Sequence, residues 1–472
     1  MMLLKIAFRN ILRNSRRSLM TMSAVAVGAI ALVLFGQFMA YLILGFQTTT
    51  VEETGHLSVF RRGYFEFGAG NPAAYGIGDY HRVIDLIQDD AVLKPLLRVV
   101  TPTVKLFGIA GNFDINASTT FFGMGVVPSD RNRMLQWDEY HIVRGGGRVP
   151  TELGLHDDTP TRGVIGVGVA RILGLCKPLR VANCPSPPVE APTMPTPTPD
   201  ARQPSVDLRE LAQRDRDVSH AGEAGAPRID LLAATAGGAP NVLSLYVTKA
   251  ERQSVKELDD TFIAMNLALA QQLLYGRGEH KIVGIVLQLN RTQDIARARA
   301  RLHALFQERH LDLDVRDFTE LQPQYNQVIG LFGAIFFFIA IVMGIIVLFT
   351  IINTMSMSVM ERTNEIGTAR AMGVRRSGIR RQFLIEGWML GVIGATAGLL
   401  LAAIIAVAVN HAGFTWMPPG QASPIPLQLL TTGDALLIGA VWCGLLIMAT
   451  VAALIPANRA ARMPVVDALR HV

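Results

Sequence analysis

Charge is scarce in this 472-residue chain. Asp, Glu, Lys and Arg together make up 17% of it, against 50% hydrophobic residues. A soluble globular chain carries about 25% charged residues, and a disordered chain is polar rather than apolar, so the composition excludes both classes. Three cysteines, Cys176, Cys184 and Cys443, are too few for a disulfide scaffold and too scattered for a zinc site. No Gly-x-x-x-x-Gly-Lys-Ser/Thr run occurs, so nothing here cradles a nucleotide in P-loop fashion. His-Glu-x-x-His, Gly-x-Ser-x-Gly and Cys-x-x-Cys are absent as well. The triplet His156-Asp157-Asp158 has no further ligand types clustered near it and reads as a solvated loop. The chain is therefore expected to hold no catalytic residues, no metal and no cofactor of its own.

What the sequence does have is long apolar runs. Residues 19–44, 328–352 and 435–455 carry no charge, and 383–409 carries only Glu386, close to its start. Each reaches the ~20 residues needed to cross about 30 Å of hydrocarbon. The plain alternative, a buried core helix, seldom runs so long without charge. The first run is well beyond the 7–15 residues of a signal-peptide core and is read as a retained helix. Ionisable groups inside membranes mark ion and proton pathways. Glu386 is the lone candidate, and at one turn inside its span it is expected to snorkel to the interface or to cap the preceding segment. A channel or proton-coupled carrier is disfavoured, so any transport must draw its energy from another chain.

Arginine and lysine set the topology. Lys5, Arg9, Arg13, Arg16 and Arg17 precede the first run; Arg362, Arg370, Arg375, Arg376, Arg380 and Arg381 lie between the second and third; Arg459, Arg462 and Arg470 follow the fourth; and 410–432 has none. The positive-inside rule puts both termini and 356–382 in the cytoplasm. These short segments outweigh the net charge of +6, so the rest of the chain is mildly acidic and the basic balance reports topology, with no nucleic-acid partner. The expected fold class is an α-helical membrane protein with four transmembrane helices and a large mixed α+β periplasmic domain inserted between helices 1 and 2. The segments are 1–17, a cytoplasmic amphipathic stretch; 18–46, the first span; 47–324, the periplasmic domain; 325–355, the second span; 356–382, a cytoplasmic coupling segment; 383–409, the third span; 410–432, a short periplasmic loop; 433–455, the fourth span; and 456–472, a cytoplasmic tail.

Within the inserted domain, 55–60, 99–109, 164–169, 242–247 and 281–289 read as strands. Residues 79–97 and 291–310 read as helices, the latter with Ile295, Ala296, Ala298 and Leu302 facing inward. Residues 185–238, rich in Pro, Ala, Thr and Ser at the start and polar later, read as a flexible insertion. Cys176 and Cys184 lie just before it. On an oxidising side they can pair or stay as thiols, and spacing alone does not decide. Cys443, inside the fourth span, reads as a packing residue.

The most informative stretch follows the second span. Glu361-Arg362-x-x-Glu365-Ile366-Gly367-x-x-Arg370-Ala371-x-Gly373 reads as a short amphipathic helix at the membrane surface, with Gly373 suited to a left-handed stop. With Phe383, Glu386 and the glycines Gly387, Gly391, Gly394 and Gly398, with the closing Pro456-Ala457-x-Arg459-Ala460-Ala461-x-x-Pro464, and with the opening Leu4-x-x-x-Phe8-Arg9-Asn10-x-x-Arg13-Asn14, it resembles the FtsX-like permeases of ATP-binding-cassette (ABC) transporters, MacB-type and LolC/LolE-type among them. The resemblance covers about the first 60 and last 150 residues, and the middle only in fragments. It implies a bacterial inner-membrane, multi-pass permease without catalytic activity. ATP and Mg²⁺ would be handled by a dimer of ATPase subunits received at 361–373, where Glu361, Arg362, Glu365, Ile366, Gly367, Arg370, Ala371 and Gly373 couple the two. It also implies a second permease copy, identical or paralogous, contact with membrane lipids along the N-terminal segment, and a periplasmic carrier or adaptor as a further candidate partner. Gly391, Gly394 and Gly398 suit close helix packing, within the chain or at a dimer interface. The leading expected function is extraction or release of lipoprotein or lipid. The alternatives are MacB-like efflux of peptides, toxins or antibiotics and FtsX-like control of a periplasmic cell-wall hydrolase.

Overall fold

The computed structural model describes residues 2–68, 70–142, 152–181, 184, 226–253, 256–416, 425–430 and 435–465. The chain divides into two compact units. One gathers the residues up to Gln47, Pro323–Trp416 and those from Ile425 on, and the other spans Thr48–Gln322.

The first unit is helical. A short helix α1 (Met2–Arg13) precedes α2 (Ser15–Thr54), whose last residues belong to the second unit. Four described helices are long and apolar enough to cross a membrane: α2, α8 (Pro323–Glu361), α10 (Arg376–Ala412) and α11 (Ala435–Arg462). Each runs beyond the apolar stretch that marks it in the sequence, since helical hydrogen bonding continues through the polar flanks. Small residues bring the helices together. A Cβ on Gly391 would lie 2.7 Å from Ala449 Cβ of α11, and one on Gly394 2.8 Å from Val25 Cβ of α2. At Gly398 it would meet the Ala26 carbonyl oxygen and Ala29 Cβ, each at 2.6 Å. These three glycines are therefore occupied by packing inside the chain.

The second unit is built on nine strands: β1 (Leu57–Arg61), β2 (Leu97–Asn112), β3 (Ala117–Val126), β4 (Arg162–Gly166), β5 (Arg228–Ala234), β6 (Pro240–Glu251), β7 (Phe262–Asn266), β8 (Gly284–Leu289) and β9 (Leu313–Asp317). The second half of β2 pairs with both β3 and β5, and the pairings β3–β7, β7–β4, β4–β6 and β6–β5 close a ring of six strands. The first half of β2 pairs instead with β8, which pairs with β1, which pairs with β9, all antiparallel. Helices α3 (Tyr80–Asp89), α4 (Pro128–Leu135), α5 (Val167–Ile172), α6 (Leu267–Tyr275) and α7 (Ile295–Glu308) complete the unit. Helix α6 packs against β2, β3, β5, β6 and β7, and its Leu269, Ala270 and Leu273 join Leu106, Phe121, Ile165, Leu231 and Ile263 in one core.

Four expectations need correction. The helix expected over 79–97 ends at Asp89, and the chain turns through 90–96 before β2 starts at Leu97. The β-branched run 164–169 is not one strand: it breaks at Gly166, and Val167–Ile172 is helical. The buried Asp259 carboxylate accepts from Val167 N (3.0 Å) and Gly168 N (3.1 Å), an N-terminal cap from elsewhere in the chain that overrides local β preference. Residues 228–234, counted with the flexible insertion, form β5, held between β2 and β6; 185–225 lie outside the described residues. Ala296 is exposed, and the inward face of α7 is Ala298, Leu302, Leu305 and Phe306. Cys176 and Cys184 are joined in a disulfide, with Cα atoms 6.1 Å apart.

Where α2 ends, Gly55 takes φ +72° and turns the chain into β1. The next residue, His56, is fully buried. Its Nδ1 accepts from Leu289 N (2.9 Å), its Nε2 lies 3.3 Å from Thr292 Oγ1, and Trp137 packs edge-on against the ring. Burial pulls its pKa from 6.5 down to about 3, so the ring stays neutral. Between those values the unfolded chain takes up a proton that the folded chain refuses, and stability falls as pH drops. Going from pH 7.5 to 5.0, this residue is expected to cost about 2 kcal/mol. His56→Gln should narrow the loss in apparent Tm between these pH values, and an unchanged loss would refute the assignment. In the helical unit, Gly398→Leu is expected to cost about 1–3 kcal/mol or more through overpacking, read as a lower Tm in detergent.

Candidate functional site

The charged segment singled out in the sequence lies where α8 ends. Helix α8 stops at Glu361, Arg362 leaves the helical region (φ −103°, ψ 18°), and α9 (Thr363–Ala371) begins at once. Helix α9 in turn ends as expected. Gly373 has φ +95°, Val374 N donates to Ala369 O (3.1 Å) and Gly373 N to Arg370 O (3.1 Å), a Schellman-type stop that glycine adopts without strain.

Arg362 is the centre of this joint. Its side chain is 5% exposed and that of Glu386, on α10, 4%. Arg362 Nη1 donates to both carboxylate oxygens of Glu386, at 3.0 and 3.2 Å, and Nη2 donates to Asn10 O of α1 at 3.3 Å. Asn10 Nδ2 donates to Glu386 Oε1 at 2.6 Å. Three helices thus meet on one buried ion pair. A cleft of about 20 Å³ beside it, lined also by Asn14, Ser18, Thr354 and Ser358, has room for a single water. Around this centre, Arg13 pairs with Glu365 (2.6 Å), Arg17 pairs with Glu361, and Arg370 Nη1 donates to Ala461 O of α11 (2.8 Å). The segment 361–371 is therefore tied to α1, α2, α10 and α11.

This changes the division of labour among the residues singled out for coupling. Arg362, Ile366 and Gly367 are buried and present nothing to a partner. Glu361 and Glu365 are exposed but ion-paired to the N-terminal arginines, and Arg370 is half-buried on α11. Ala371 and Gly373 face outward. Beside them stand Met372, 76% exposed, and Val374, 41% exposed, which sequence reasoning passed over, and the exposed Arg375 and Arg376, read there only as topology signals. Of the two roles expected for Glu386, it does not snorkel; it is buried and holds the preceding segment through Arg362, the residue before α9. Asn10 was also passed over as a site residue. Its signal is a polar side chain one turn after the buried Ala7 and next to the buried Ile11 on an amphipathic helix. Among the described residues no group of His, Cys, Asp and Glu is placed to hold a metal ion.

Residues 336–465 match the family model of the FtsX-like permease C-terminal domain. The chain is similar to proteins named macrolide export ATP-binding/permease protein MacB. That of Hyphomonas neptunium is 27% identical over 236 residues, 49% of this chain and 34% of the relative. That of Bordetella avium is 29% identical over 194 residues, 41% of this chain and 28% of the relative. That of Rhodopirellula baltica is 34% identical over 157 residues, 33% of this chain and 21% of the relative. The matches thus span about a third or less of these relatives' length.

Removing one partner of a buried ion pair leaves an uncompensated charge and costs about 3–5 kcal/mol. Glu386→Gln is expected to lower the Tm of the purified protein accordingly, and Glu386→Gln with Arg362→Gln to recover part of the loss. Additive losses in the double variant would refute the pairing.

Proposed function

We propose that this chain, an FtsX-like permease of the MacB type, is the membrane subunit of an ABC transporter that turns ATP hydrolysis by a partner ATPase dimer into conformational work outside the membrane. The observation that carries this reading is the joint around Arg362. One side of the segment 361–376 is bonded into four helices, while the other offers an apolar tip, Met372 and Val374, beside Arg375 and Arg376. A knob so anchored moves only with the helices behind it. The spans, poor in ionisable groups, suit transmission of movement better than passage of ions. In this reading 356–382 and both termini lie in the cytoplasm of a bacterial inner membrane, the sheet unit lies in the periplasm, and a second permease copy, identical or paralogous, completes the assembly.

For the cargo, the relatives' names favour export of macrolide-like molecules, and the resemblance to MacB-type permeases adds a periplasmic adaptor as the partner to look for. Lipoprotein or lipid release, which sequence alone put first, keeps one specific support. Phe107 (67% exposed) and Ile109 (46%) on β2 and Val242 (56%) on β6 flank Leu232 of β5, through the register Ile109–Leu232–Val242, and form an apolar face suited to a hydrophobic cargo. Co-purification separates the two, since an adaptor marks the first and a lipoprotein carrier the second.

Met372→Asp is expected to weaken ATPase binding about tenfold or more, as loss of an apolar anchor does, while membrane insertion and Tm stay unchanged. Unaltered ATPase binding and stimulation in this variant would refute the docking assignment.

A further inference from the structure

The carboxyl end of α2 leaves backbone carbonyls without helical donors. Its last residues, from Thr48, belong to the sheet unit, and within that unit side chains from two other elements donate to carbonyls there, one of which, Val51 O, also accepts from Gly55 N at 3.0 Å. Arg131 of α4 is 9% exposed, and its Nη1 donates to Glu52 O at 2.6 Å and to Glu53 O at 3.0 Å. Gln288 of β8, fully buried, donates from Nε2 to Val51 O at 3.4 Å and to Met134 O of α4 at 3.0 Å. Helix α4 packs on β2, so this end of α2 is fastened to β8 directly and to β2 through α4.

The chemistry of the clasp is specific. A guanidinium at a helix carboxyl terminus meets the negative end of the dipole. Nη1 alone, with its two N–H groups, donates to two successive carbonyls, and the planar guanidinium sets the direction of both, where a lysine ammonium is a point charge on a flexible stem. A buried cation is costly unless paired and hydrogen-bonded, and here the carbonyls and the nearby Glu52 and Glu53 supply both.

We propose that Arg131 is a positioning residue that clasps the carboxyl end of α2, so that displacement of this helix is delivered into the sheet unit through α4 and β8. The proposal rests on the reading of the chain as a force-transmitting permease, but the clasp can be measured without it. The experiment uses the full chain in lipid nanodiscs with its partner ATPase, as wild type, Arg131→Gln and Arg131→Lys. Hydrogen–deuterium exchange of 48–60 is read beside exchange in β5 and β6, ATP turnover, and ATP-dependent exchange changes in the sheet unit.

Arg131→Gln is expected to raise exchange in 48–60 roughly tenfold, to leave β5 and β6 unchanged, to keep ATP turnover, and to lose most of the ATP-dependent change in the sheet unit; Arg131→Lys should fall between. Unchanged exchange in 48–60, an equal rise throughout the sheet unit, or a full ATP-dependent response despite a loosened helix end would each overturn the proposal. If the wild type itself shows no ATP-dependent change, the force-transmitting reading fails, whereas local loosening in Arg131→Gln still establishes the clasp.

Discussion

The helical unit depends on keeping Arg362 and Glu386 together out of water. Neither charge is tolerable there alone, because burying an isolated ion costs far more than burying a paired one. The pair therefore fixes how far α8 can run before it breaks, where α10 begins relative to it, and where α1 lies, since Asn10 gives both its amide and its carbonyl to the same two groups. The exposed pairs around it do much less. Arg13 and Glu365 are 55% and 58% exposed, and such pairs contribute about 0–1 kcal/mol. They trim the orientation of α9, whereas the buried pair determines that there is a joint at all.

The helical unit was largely legible in the sequence, and the joint only in part. Long uncharged runs and the arginines between them announce the four apolar helices because burial in lipid demands just that composition. The end of α9 was equally plain, since Gly373 is the residue a left-handed stop requires. What could not be read was direction. Glu361, Arg362 and Glu365 look alike as charged residues on a short helix, yet Arg362 turns inward because Glu386, 24 residues later, waits for it. Tertiary pairing of that kind leaves no periodic trace. Met372 was missed for the converse reason: an apolar side chain reads as core until a structure shows it exposed.

In the sheet unit the same limit appears in another form. Strands such as β8, buried on every residue, show as continuous apolar runs. The closure of six strands into a ring does not show, because it rests on β2 changing partners midway, from β8 to β3 and β5. A 16-residue strand is long enough to serve both assemblies, and that length links them. Asp259 makes the point at a single residue. One carboxylate accepting from Val167, Gly168 and Gln253 turns a valine-rich stretch from strand to helix, and nothing within that stretch foretells it.

The charge balance gains a further meaning from these pairings. Two of the N-terminal arginines, read first as topology signals, are spent on Glu361 and Glu365, the two acids of the segment 356–382. With Glu361 and Glu365 engaged and Arg362 buried, the exposed charge that remains beside Met372 is that of Arg375, Arg376, Arg380 and Arg381. In the proposed docking reading, an apolar tip beside arginines would favour an acidic-rimmed hydrophobic groove on the ATPase. The exposed pairs thus bear on the outer face while the buried pair sets the joint: by engaging the two acids of this segment they leave arginine as the charge that predominates there.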